Sequence, residues 1–192
     1  MGPPNQQKGD STAALTIEKS SHIRLTGTGQ EQKCGAPYPS SLQQCGIRIT
    51  GGWWGLMGRE NSNMEIDHVE FYQTGGPGFK PNKPIDQAWT EFDSYYHHNY
   101  AHDTGTEGFY IGANYADGSP VFRGLEISYN RIEHTNWSGM DVKGGRERIK
   151  VHHNIIIATS QTLTDGGIGI VDTLEGDFYN NWTGLREKLE LC

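Results

Sequence analysis

Apolar residues recur along this chain in short alternating runs, not in helical stripes. Leu125-Glu126-Ile127, Arg131-Ile132-Glu133 and Met140-Asp141-Val142 send alternate side chains to opposite faces, the period-two signature of strands. The runs come in groups of three, and the groups repeat. "EIDHVEFYQTGGPGF", "SYYHHNYAHDTGTEGF", "EISYNRIEHTNWSGM" and "KVHHNIIIATSQTLTDGGI" align with one another. One column reads Val69, Asn99, Asn130, Asn154 and, in a weaker fifth copy, Asn181. Five residues on, a second column reads Thr74, Thr104, Thr135 and Thr159. A third reads Phe79, Phe109, Met140 and Ile168, each preceded by glycine. The Asn column is spaced by 30, 31, 24 and 27 residues, irregular in the way solenoid loops are.

An Asn at a bend between strands tolerates the bend conformation, and its amide can bond the Asn of the next coil. Ladders of stacked Asn form in this way at the ~4.8 Å spacing of paired strands. Gly78, Gly108, Gly139 and Gly167 are expected to supply a tight turn before the third strand of each copy.

These columns resemble those of right-handed parallel β-helices, the pectate-lyase-like superfamily, in the style of large secreted bacterial β-helix repeat proteins. The resemblance covers roughly Leu15 to Trp182. It implies an all-β, right-handed parallel β-helix of about five to six coils. The domain is expected over residues 15–183, after a disordered lead-in at 1–14 and before a short tail or partial cap at 184–192. An open coil end is an unpaired sheet edge. Coils without evident caps therefore read as a fragment of a longer β-helix, or as half of an end-to-end dimer.

Composition agrees with a turn-rich β protein: 26 glycines and only 34% apolar residues. The net charge of -7 argues against nucleic acid, which would call for a basic stripe. No apolar run reaches the ~20 residues of a membrane helix. The opening "MGPPNQQKGDST" has no apolar core and does not read as a secretory signal. Cys34 and Cys45 bracket a Pro- and Ser-rich excursion, either as a disulfide or as two thiols, and Cys192 stands alone.

Loop lengths place the irregular side of the solenoid. The next ladder Asn lies 20 and 21 positions after Phe79 and Phe109, and 14 and 13 after Met140 and Ile168. The extra residues, "NKPIDQAW" and "ANYADGSPVFRG", are expected to wall the third strand, and solenoids bind on the side that carries insertions. Strand parity sends Lys80, Tyr110 and Asp141 outward in one row there, with Lys143 in the next and Arg146 and Arg148 following. The resemblance implies a basic residue that abstracts the proton beside a uronate carboxylate, and a Ca²⁺ ion or other cation that neutralises that carboxylate. Lys143, Arg146 and Arg148 are the candidates for the basic catalytic roles, with Lys143 the base, its pKa lowered by the neighbouring Arg side chains. Asp141 or Glu107 would hold the cation. Lys80, Tyr110, Asp141 and the turn residue Trp137 are the candidate substrate contacts, and Trp53-Trp54 a further stacking platform. The plain alternative is a solvated charged surface with aromatics that cover the core.

Histidines also fall in columns: His68, His98 and His153 in one, His97 and His152 with Asp67 and Ser128 in the one before. They read as stacking ladders, or as a transition-metal site shared between coils. His102-Asp103 and Glu133-His134 are adjacent on strands, so parity predicts opposite faces and no acid–base pair. The reading is an extracellular or cell-surface β-helix that engages a polysaccharide or cell-surface glycan, as a lyase or hydrolase. The alternative is a non-catalytic surface, adhesion or structural module.

Overall fold

The computed structural model describes residues 12–28, 34–35, 45–83, 89–113, 120–157, 159 and 166–184. Eighteen strands wind through six coils of three. The first coil is β1 (Ala13–Glu18), β2 (Ser21–Thr26) and β3 (Ile47–Thr50), and the second is β4 (Trp54–Arg59), β5 (Ser62–Asp67) and β6 (Val69–Tyr72). The third is β7 (Phe79–Lys80), β8 (Thr90–His97) and β9 (Tyr100–His102), and the fourth is β10 (Phe109–Ile111), β11 (Val121–Ser128) and β12 (Arg131–Glu133). The fifth is β13 (Met140–Lys143), β14 (Gly145–His152) and β15 (Ile155–Ile157), and the sixth is β16 (Ile168–Val171), β17 (Asp177–Tyr179) and β18 (Trp182–Gly184). Each strand pairs in parallel with its counterpart one coil away, giving three six-stranded sheets. This is the topology of a parallel β-helix. Its first strand starts at Ala13, two residues before the expected Leu15 boundary, and its last ends at Gly184. The rest of the lead-in and the tail lie outside the described residues, as do most of the two expected wall loops.

The repeat columns are the rungs. Phe109 pairs with Phe79 on one side and Met140 on the other, and Met140 with Ile168. Phe71, Phe79 and Phe109 are fully buried, and their rings meet with centroids 5.4 to 6.0 Å apart. Each such ring contributes about 1.5–3 kcal/mol from burial.

The Asn ladder closes every bond an amide can make. Asn130 Nδ2 donates to Asn154 Oδ1 at 3.0 Å and to Tyr96 O at 2.9 Å. Its Oδ1 accepts from the backbone N–H and the side-chain amide of Asn99 at 3.0 and 3.1 Å. The pattern recurs from Val69 N–H through Asn181. The Thr column bonds locally: Thr74, Thr104 and Thr135 each donate to a carbonyl two residues on.

Corners between sheets are single left-handed residues. His68, His98, Tyr129, His153 and Asn180 turn the second strand of a coil into the third, with φ between 52° and 56°. The histidine column is thus a corner stack: His68 on His98, His98 on Tyr129 and Tyr129 on His153 at 5.3, 5.0 and 4.9 Å. Asp103, with φ 51°, shows why parity failed at one place. The left-handed corner swings its carboxylate back to within 2.8 Å of His102 Nδ1, so these neighbours do meet.

The glycines before the third-column residues also differ from expectation. Of the four, only Gly167 has positive φ. Gly108 and Gly139 are required by packing, because a Cβ there would lie 2.4 Å from Ile132 Cγ2 and 2.1 Å from Ile156 Cγ2.

Candidate functional site

The first-strand sheet carries a pocket of ≈ 380 Å³. Trp53, Trp54, Trp137, Tyr110, Lys80, Lys83, Thr106 and Glu107 are among its lining residues. Lys80, Tyr110, Thr106, Glu107 and Trp137 arrive by repeat positions. Lys80 and Tyr110 follow the inward Phe79 and Phe109, so alternation turns them to the outer face. Thr106, Glu107 and Trp137 sit in the turns that precede first strands. Trp137 is held by its backbone N–H, 3.1 Å from Thr106 O, and is 40% exposed, so its ring is presented and not buried. Trp53 lies against Gly76, where a Cβ would be 2.8 Å from the indole.

Two ammonium groups flank Tyr110. Lys80 Nζ lies 4.1 Å and Lys143 Nζ 4.4 Å from its ring centroid, within cation–π range. Their environments differ. Lys80 is buried and donates to the carbonyl of Gly112. Burial, reinforced by the charges of Lys143 and Lys83 and opposed by Glu107, pushes its pKa down to about 7. Lys143 is also buried, but its salt bridge to Asp141 at 2.9 Å and its contact with Tyr110 outweigh that, and its pKa rises. Burial raises the pKa of Tyr110 and, with the charge of Asp141, that of Glu107.

Lys80, Tyr110 and Trp137 therefore line one pocket, while Asp141 and Lys143 continue the same sheet beside it, with Asp141 paired to Tyr110 in register. Arg146 and Arg148 are placed elsewhere. The left-handed Gly144 turns the chain onto β14 in the adjoining sheet. There Arg146 bonds Asp172 O at 2.6 Å and Oδ2 at 2.8 Å. Arg148 reaches across Gly124 to Asp93 at 2.9 Å. Neither lines the pocket, and the Lys143 pKa moves up, not down as expected from like-charge repulsion. Lys83 and Thr106 escaped sequence reading; both are ordinary polar residues in turns, distinguished only by the fold that gathers them.

Ca²⁺ requires six to eight oxygen ligands. Among the described residues, Asp141 is engaged by Lys143, and burial raises the pKa of Glu107. This donor set does not suit Ca²⁺.

No family model, curated protein or solved structure matches this chain.

Proposed function

We propose that the chain is a right-handed β-helix of the pectate-lyase-like kind that binds an acidic polysaccharide outside the cell and cleaves it by β-elimination. The observation that carries this reading is the placement of Lys80 and Lys143 on either side of Tyr110, beside three tryptophans. Indole and phenol faces suit pyranose rings. The Cys34–Cys45 disulfide suits an oxidising compartment.

In this mechanism the protonated Lys143 neutralises the uronate carboxylate. The neutral Lys80 amine takes the proton from the carbon beside that carboxylate, and the electron pair forms the new double bond. The neighbouring glycosidic C–O bond breaks, and its oxygen takes the proton that burial keeps on Tyr110. Lys80 thus takes the role that sequence parity assigned to Lys143.

The test is a screen of uronic-acid polymers for unsaturated product absorbance across pH. The base must be neutral, so turnover is expected to rise about tenfold per pH unit below, and level off above, the Lys80 value of about 7. Turnover that is flat through that range would rule out Lys80 as base. Saturable binding without turnover would favour the non-catalytic surface module.

A further inference from the structure

A second cluster lies away from this pocket, where the second and third coils stack. We propose that Glu65, Asp67 and His97 form a binding site for a first-row divalent cation such as Zn²⁺, with Arg24 as its displaceable occupant. The three ligating atoms lie within 4.8 Å of one another. Ligands of a tetrahedral zinc shell stand ~3.3 Å apart, from bonds of 2.0–2.2 Å. One edge already has that length, His97 Nε2 to Glu65 Oε1 at 3.2 Å.

Two of the three ligands, Asp67 and His97, are oriented from behind, as in metal sites. Asp67 is fully buried, and its Oδ1 accepts from Thr26 Oγ1 at 2.7 Å and faces His68 Nδ1 at 2.6 Å. That leaves Oδ2 directed into the cluster. His97 stacks on Tyr95 at 3.9 Å between centroids, and its Nδ1 is 2.8 Å from His98 Nδ1. A single proton shared between those two nitrogens fixes the ring. If it sits on His97 Nδ1, Nε2 is left as a lone pair facing Glu65.

Arg24 supplies the positive charge of the cluster. Its Nε lies 3.1 Å from Asp67 Oδ2 and 3.3 Å from Glu65 Oε1. It is a monovalent cation on a half-exposed side chain, whereas Asp67 is wholly enclosed. A divalent ion would satisfy both carboxylates and the imidazole, while Arg24 swings into solvent. Imidazole with two carboxylates suits Zn²⁺, Co²⁺ or Ni²⁺. The partly exposed Glu65 leaves a side of the shell open to water.

The repeat supplies an internal control. Glu126 and His152 reproduce the Glu65–His97 contact at 3.2 Å in later coils. Ser128 stands there in the column that holds Asp67, so the second carboxylate is missing and no site is expected.

The experiment is calorimetric titration of Zn²⁺ into the whole chain at neutral pH, with thermal melts to verify folding. Wild type is expected to bind one ion, Arg24→Ala at least tenfold more tightly. Glu65→Gln and His97→Ala, each also in the Arg24→Ala background, are expected to lose that ion, and His152→Ala to keep it. Absence of saturable binding, binding that survives His97→Ala and Glu65→Gln, or binding no tighter in Arg24→Ala than in wild type would overturn the proposal. None of these outcomes depends on the polysaccharide pocket.

Discussion

Asn130→Ala is expected to destabilise the protein by about 1–3 kcal/mol. The change removes four hydrogen bonds and leaves the Asn99 backbone N–H without its acceptor, while Asn99 Nδ2 keeps Ile66 O and Asn154 Oδ1 keeps the backbone N–H of residue 130. Asn99 loses the acceptor for its backbone N–H and its amide, and Tyr96 O and Asn154 Oδ1 lose a donor. Asn99, Asn130 and Asn154 are all fully buried, so water does not replace these partners. Each unsatisfied buried group costs about 1–3 kcal/mol, reduced where the coil relaxes. Reversible denaturant unfolding measures the effect. A loss below about 1 kcal/mol would mean that the ladder is hydrated. Asn181→Ala, at a part-buried rung of the sixth coil, is expected to cost less.

Glu91→Gln is expected to act in the opposite direction, and in proportion to pH. Glu91 is enclosed in the core, where it accepts from the Tyr96 hydroxyl while its other oxygen has no partner. Burial raises its pKa from the ordinary 4.5 to about 8, with Tyr96 and Ser94 opposing. The folded state therefore holds a proton that the unfolded chain releases. The associated stability is fully present below the unfolded value of 4.5 and is lost as pH rises through about 8. The full loss is on the order of 5 kcal/mol at 1.36 kcal/mol per pKa unit. Glu91→Gln removes that titration, so its stability relative to wild type should climb between these two pH values and level off above them. A difference that is constant with pH would mean that Glu91 is ionised in the fold. The acid limb should remain in both proteins. Burial lowers the pKa of His97, and that of His98 to about 4, so the His98 contribution is lost as pH falls from 6.5 towards 4 and that of His97 as pH falls below 6.5.

The rungs were legible because stacking imposes sameness. Coils one strand spacing apart must put similar groups at similar places, so Asn99, Asn130 and Asn154 announce their own alignment. The corners were less legible, since a left-handed residue is nearly invisible when it is Asp103 or Tyr129 and not glycine. Those corners decide which sheet a side chain joins. Gly144 carries Arg146 and Arg148 away from Lys143, and no count of residues along a strand reveals it. The outward row of Lys80, Tyr110 and Asp141 followed from parity alone. The division of roles between Lys80 and Lys143 did not, because it rests on burial and on the Asp141 partner. Trp53 and Trp54 were visible as a pair, but their company with Trp137 arises only when the coils stack.

The most direct measurement is calorimetric titration of a uronic-acid oligosaccharide into wild type, Trp137→Ala, Lys80→Met and the control Glu126→Ala, whose side chain faces His152 on another sheet. Saturable binding is expected in wild type and in Glu126→Ala, with at least tenfold weaker binding in Trp137→Ala and Lys80→Met. Equal affinity across all four proteins, or no saturable binding in wild type, would contradict the assignment of this pocket to an acidic polysaccharide.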